Sequence, residues 1–201
     1  MIEVESRCRN VIFPTYVFEI DLKEYDKDFY KEIISDHMVT RTEPLTLSNT
    51  DLHKDEKMKE FCDFILEQHK SVMHTLGYVP QDLSFSGMWG VEQNKHGYHR
   101  QHFHPNNWMC GVFYIDTHEE DAIVFHDPRL RAGVIQPKTF DYNEYNTSIN
   151  RFPSPEGKIY MFPNWLEHSV EPLVHDKTRI SISWNIKIPE QLGCGYGCTD
   201  G

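Results

Sequence analysis

The stretch RQHFHPNNW, residues 100–108, sets His102 and His104 two positions apart and follows them with Pro105. In an extended strand, residues i and i+2 project from the same face, with their backbones roughly 7 Å apart. Two imidazoles so placed can converge on one metal ion, since neutral imidazole is a good ligand for iron, zinc and copper. They can equally be two surface histidines, and the nonapeptide alone does not choose. A third imidazole, His168, stands 64 residues after His104 in FPNWLEHSVEPL, with Arg179 a further 11 residues on and Ser181 a further 13. The segment RISISWNI alternates: Arg179, Ser181, Ser183 and Asn185 share one face, and Ile180, Ile182, Trp184 and Ile186 share the other. The apolar face suits a core and the Arg/Ser face suits solvent, unless the strand lines an interior cavity.

The elements that would position these residues are mostly short strands. After residue 80, SFSGMWGVEQ, YHRQHFHP, MCGVFYID, AIVFHDPR, KIYMFP, EHSVEPL and RISISWNI follow one another, separated by Gly, Pro, Asn and Asp. Regularly spaced strands with turn signals predict a β-sandwich or barrel. Ahead of them, NVIFPTYVFEIDL reads as a strand and KEYDKDFYKEIISDHM as a helix. Residues 55–77 form the clearest helix, with Met58, Phe61, Ile65, Val72, Met73 and Leu76 at helical spacing and Gly77 at its end. The polar, Tyr/Asn-rich stretch from about 136 to 156 reads as one long loop, either a cover over a site or a solvated connection.

At 201 residues the chain suits one domain: strand and helical support over 1–80, a strand-rich core over 81–188 and a glycine-rich tail over 189–201. The formal net charge of -11 disfavours a nucleic-acid phosphate backbone as partner. No apolar run reaches the length of a transmembrane helix, and the first residues lack a signal-peptide pattern. Five cysteines with no framework spacing fit a reduced, cytoplasmic protein, with Cys194 and Cys198 placed in a flexible tail. His96, His99, His118, His126 and His175 read as solvated or structural groups, and Trp108 and Trp165 as core packing. Asp127 and Arg129 share a face, where they either pair with each other or face a substrate.

The blocks HFHPNNWMCGVFYID, VFHDPR, EGKIYMFPNWLEHSVEP and RISISWN together resemble the iron(II)- and 2-oxoglutarate-dependent oxygenases, in particular a branch found in bacteria and phages. The resemblance covers roughly residues 85–187. It implies a mainly β fold, a double-stranded β-helix (jelly-roll) of eight strands with N-terminal helices packed on it. It implies iron(II) as the metal and 2-oxoglutarate as co-substrate. His102 matches the first metal ligand of the family and His168 the distal one. Arg179 matches the cation that holds the far carboxylate of 2-oxoglutarate. Ser181 and Tyr114 match the hydroxyl residues that accompany it.

The chain departs from the family where a carboxylate usually follows the first histidine by two residues, because that position is His104. Three readings compete: His104 as third ligand, Asp127 as a carboxylate from the next strand, or a site with only two protein ligands. The implied activity is a dioxygenase that hydroxylates a small metabolite or peptide side chain and releases succinate and carbon dioxide. Its rivals are a three-histidine metal hydrolase or cupin-type dioxygenase, and a non-catalytic jelly-roll binding module. Arg179 with Ser181 separates the first reading from a hydrolase, which has no use for a carboxylate clamp. Neither the primary substrate nor the oligomeric state follows from the residues.

Overall fold

The computed structural model describes residue 8 and residues 10–42, 44–129, 135 and 137–189. Among them two antiparallel sheets face each other. The larger contains β1 (Phe18–Asp21), β2 (Met38–Thr42), β3 (Leu45–Ser48), β4 (Ser84–Gln93), β6 (Met109–Asp116), β9 (Lys158–Pro163) and β11 (Arg179–Lys187), in the order β1-β9-β6-β11-β4-β3-β2. The smaller contains β5 (His99–His102), β7 (Ala122–His126), β8 (Ile149–Pro153) and β10 (His168–Val170), in the order β5-β10-β7-β8. Of strands β4 to β11, four (β4, β6, β9 and β11) lie in the larger sheet and four (β5, β7, β8 and β10) in the smaller, as expected for an eight-stranded jelly-roll. The predicted tail with Cys194 and Cys198 lies outside the described residues.

Two helices, α1 (Lys27–Asp36) and α2 (Lys59–Thr75), cover the outer face of the larger sheet. Asp26 caps α1 by accepting from the Phe29 N–H, satisfying one of the free donors at the helix start. The predicted helix over 55–77 opens with a 3-10 turn at Glu56–Met58 before α2 proper begins. Its end is a Schellman motif: Gly77 has φ +78°, its N–H donates to His74 O, and the Tyr78 N–H donates to Met73 O. Phe61, Ile65, Val72 and Met73 are buried as their spacing predicts. Phe61, Ile65 and Val72 meet Met88, Phe113, Ile182 and Trp184 of the sheet in one apolar cluster with Ile33 and Ile34 of α1. Trp184 lies so close over Gly111 of β6 that a Cβ there would stand 2.3 Å from its ring, so the sheet needs glycine at that position.

Two points differ from the sequence reading, and a third follows it, since the resemblance implies that the Arg/Ser face of RISISWNI lines the interior. The hairpin β2–β3 was not foreseen, because its strands are short and Thr-rich and lack a strong alternation. The stretch from 136 to 156 is not one loop: β8 occupies Ile149–Pro153 and pairs with β7 along its whole length. Its side chains are largely exposed, so its pairing leaves little apolar signature in the sequence. On β11 both faces are buried. Ile180, Ile182, Trp184 and Ile186 pack toward the helices, while Arg179 and Ser181 point between the sheets.

One core residue makes the fold acid-sensitive. His69 on α2 is fully buried beside Trp108 and Trp184, with Nδ1 donating to Ile65 O at 2.8 Å and Nε2 unpartnered. Burial pushes its pKa down to about 4 from 6.5. Between those two values the unfolded chain binds a proton that the folded chain refuses, so stability falls as pH drops through 6.5 toward 4. At pH 5 the loss from this group is roughly 2 kcal/mol. Urea midpoints at pH 7 and pH 5 should show a smaller acid loss in His69→Leu than in wild type; equal losses would assign the sensitivity to other groups.

Candidate active site

The histidines converge by cross-strand pairing and a loop anchor rather than by a shared strand face. His102, the last residue of β5, lies directly opposite His168, the first of β10. β5 stops there, so His104 is not on the strand as the spacing suggested. It is fixed by Asn164: the His104 N–H donates to Asn164 O at 3.0 Å, and Asn164 Nδ2 donates back to His104 O at 3.2 Å. The next turn passes through Asn106 at φ +63°, a conformation that asparagine tolerates. Ring centroids lie 4.3 Å apart for His102–His168 and 5.1 Å for each of the other two pairs. One ring nitrogen from each of the three lies within 4.8 Å of the others.

Two of the three rings have their tautomer set by a backbone carbonyl. His102 Nδ1 lies 2.7 Å from Arg100 O, and His168 Nδ1 lies 3.0 Å from Leu166 O. A carbonyl only accepts, so each Nδ1 carries a proton, and the neutral tautomer of each ring is the one with its lone pair on Nε2. His104 Nε2 and His168 Nε2 are 3.3 Å apart. Two ligands about 2.1 Å from one ion would stand roughly that far from each other. Burial lowers the His168 pKa to about 3 and the His104 pKa to about 4, aided in both by the neighbouring His102, so both are neutral near pH 7. Phe162, 4.8 Å from the His168 ring, and Trp89, 5.9 Å from the His104 ring, form apolar walls.

The same cavity, about 60 Å³, runs between the sheets to Arg179. Arg179 is 2% exposed, lies across from Gln93 on β4, and donates from Nη1 to Gln93 Oε1 at 3.0 Å. Its Cζ sits 4.9 Å from the centre of the Tyr114 ring. Tyr114, opposite Ser181 on the neighbouring strand, is fully buried. Burial raises its pKa and the Arg179 charge opposes that rise. The Tyr114 hydroxyl, Arg179 Nε and Gln93 Nε2 are buried without a hydrogen-bond partner. No aspartate or glutamate is among the described residues lining the cavity, and none of the described residues forms an ion pair with Arg179.

Asp127 lies just past β7, outside the histidine cluster. Its carboxylate accepts from Arg129 Nε at 2.9 Å, Arg129 Nη2 at 2.8 Å and the Arg129 N–H at 2.9 Å. That pairing holds its pKa down. The pair also lines a neighbouring cleft of about 630 Å³, between the edge near β1 and the β7–β8 end, with Phe125 and Leu166 in its wall. Among the other histidines, His118 and His175 stack at 4.3 Å with Asp121 bonded to His175, a structural arrangement, and His126 bonds Ser169. His99, expected to be structural, instead lines the cavity. Trp108 packs against the core as expected, whereas Trp165 is 45% exposed because it sits on the turn before His168. Gln93 escaped the sequence reading; its only signal was its place at the end of SFSGMWGVEQ, one strand away from Arg179.

The jelly-roll with imidazoles at one end of the cavity and a buried arginine at the other is the architecture of the non-haem oxygenases. Residues 87–185, which include all three histidines and Arg179, match the family described as "Putative 2OG-Fe(II) oxygenase". Over that span the chain matches the 2OG-Fe(II) oxygenase family, whose members use iron(II) and 2-oxoglutarate. Solved structures share the fold. HygX from Streptomyces hygroscopicus, with nickel and 2-oxoglutarate bound, superposes with a TM-score of 0.59 at 10% identity over 87% of this chain and 84% of that one. A Pseudomonas putida prolyl-4-hydroxylase gives 0.59 at 10% identity over 86% and 93%. SnoN, an α-ketoglutarate-dependent epimerase from nogalamycin biosynthesis, gives 0.60 at 10% identity over 87% and 79%. No curated protein matches the sequence. No helix among the described residues is long and apolar enough to cross a membrane.

The cavity fits the family's two groups. Three clustered imidazoles suit a borderline divalent metal. A buried guanidinium with unpartnered donors beside it suits the anionic end of a dicarboxylate.

Proposed function

We propose that this protein is an iron(II)- and 2-oxoglutarate-dependent hydroxylase. In this reading His102, His104 and His168 hold the iron, and Arg179, Tyr114 and Ser181 hold the far carboxylate of 2-oxoglutarate. The observation that carries the reading is that Arg179, with no ion partner among the described residues, lies in the same cavity as the three imidazoles. A buried charge without an ion partner is costly, and a bound carboxylate offsets that cost. Asp127 is a poor rival to His104, because its carboxylate is committed to Arg129.

Iron(II) with 2-oxoglutarate supplies the activation of dioxygen, with the co-substrate consumed to succinate and carbon dioxide. The residues of this chain bind, orient and shield. Backbone carbonyls of Arg100 and Leu166 lock the tautomers of His102 and His168. Arg179 offers a planar fork, and the Tyr114 hydroxyl offers a donor beside it. Phe162 and Trp89 keep water from the metal end. The cleft bordered by Phe125, Leu166, Asp127 and Arg129 receives the primary substrate, a small molecule or a peptide side chain. HygX was also solved with hygromycin B, and another neighbour is a prolyl-4-hydroxylase, so the fold serves both kinds.

Anaerobic addition of iron(II) and then 2-oxoglutarate should produce a weak visible charge-transfer band. A zinc hydrolase would not produce it. Absence of the band in protein that retains iron would overturn the oxygenase reading.

A further inference from the structure

The amide of Gln93 has no role so far, and its surroundings assign it one. Gln93 is 1% exposed and lies opposite Arg179 on the adjacent strand. A guanidinium can only donate, so the bond from Arg179 Nη1 at 3.0 Å fixes which end of the amide faces it: the oxygen. The NH₂ end is thereby turned away from Arg179. Gln93 lines the cavity, and its Nε2 is buried without a partner. A buried amide donor left unpaired is unfavourable unless a ligand satisfies it. Arg179 Nε and the Tyr114 hydroxyl are unpartnered in the same cavity.

We propose that Gln93 is a co-substrate specificity residue, which both orients Arg179 and donates from Nε2 to the far carboxylate of 2-oxoglutarate. The proposal rests on the hydroxylase reading above and adds a residue to it. A carboxylate offers about four lone-pair sites. Arg179, Tyr114, Ser181 and Gln93 supply donors enough to fill them. The side chain must also be neutral. A glutamate at this position would accept from Arg179 equally well but would supply its own anion, removing the reason for the cavity to take one.

The test uses full-length protein loaded with nickel(II), titrated calorimetrically with 2-oxoglutarate and with pyruvate, which lacks the far carboxylate. Wild type should prefer 2-oxoglutarate strongly. Gln93→Leu should weaken 2-oxoglutarate about ten- to a hundredfold, as for loss of a hydrogen bond to a charged group, and leave pyruvate unchanged. Gln93→Glu should lose 2-oxoglutarate by more than a hundredfold while the ligand-free protein melts several degrees higher, because Arg179 gains an internal partner. A merely structural Gln93 would weaken both ligands alike, or neither, and would overturn the proposal. If Gln93→Leu fails to fold, Gln93→Glu alone decides: undiminished 2-oxoglutarate affinity refutes the assignment. Failure of the underlying reading looks different, since wild type itself would then not distinguish 2-oxoglutarate from pyruvate.

Discussion

Replacing Arg179 with alanine is expected to weaken 2-oxoglutarate binding by about 2–5 kcal/mol, the range found when one partner of a buried charge pair is removed. Metal affinity should hardly change, because the imidazoles sit on the smaller sheet and its flanking loop, while Arg179 is on the larger one. Arg179→Lys should recover only part of the loss: a lysine supplies the charge without the planar fork, and without a donor suited to Gln93. A second effect has the opposite sign. In the ligand-free protein Arg179 is a buried cation without a counter-ion among the described residues, so Arg179→Leu should melt at a higher temperature than wild type. A gain in stability together with a loss of ligand is the mark of a residue retained for binding. Calorimetry on metal-loaded protein and thermal melts of metal-free protein check the two effects separately. Wild-type 2-oxoglutarate affinity in Arg179→Ala would refute the clamp.

The parts of the fold that could be read from sequence were those with strong periodicity. α2 and β11 declare themselves because their apolar residues recur at 3.6 and at 2. β8 was hidden because it is an edge strand whose largely exposed side chains leave no pattern, and the β2–β3 hairpin because its short, Thr-rich strands lack a strong alternation. At the site, RISISWNI could not say which face was interior, since both are buried once helices cover one side and the second sheet covers the other. The resemblance of the surrounding blocks decided that question in favour of the Arg/Ser face. His102 and His104 were expected to converge through strand geometry; they converge because β10 sets His168 against His102 and Asn164 holds the chain at His104. Gln93 and His99 depend on which strands become neighbours across the cavity, information that no local window contains.

His104→Ala is expected to lose iron nearly as completely as His168→Ala, whereas Asp127→Ala should keep it. One ring nitrogen from each of the three imidazoles already lies within 4.8 Å of the others, while both Asp127 oxygens are held by Arg129. Metal binding to histidine requires the neutral ring, and burial at about pKa 4 for His104 and about 3 for His168 provides it without displacing a proton at neutral pH. Loss of one of three ligands should lower metal affinity by well over the roughly 10- to 100-fold typical of outer partners that merely orient a ligand. His104→Asp carries the argument further. It restores the carboxylate that the family usually has at this position, so it should retain iron. It also places one negative charge beside a cavity that otherwise has none among its described lining residues, so it should bind anionic 2-oxoglutarate more weakly than wild type does. Iron content and metal-edge X-ray absorption of the four variants, with 2-oxoglutarate titrations of His104→Asp, measure these outcomes. Full iron loading in His104→Ala with loss in Asp127→Ala would replace the three-histidine site by two histidines and Asp127. Unchanged 2-oxoglutarate affinity in an iron-loaded His104→Asp would show that the charge at this position does not govern co-substrate binding.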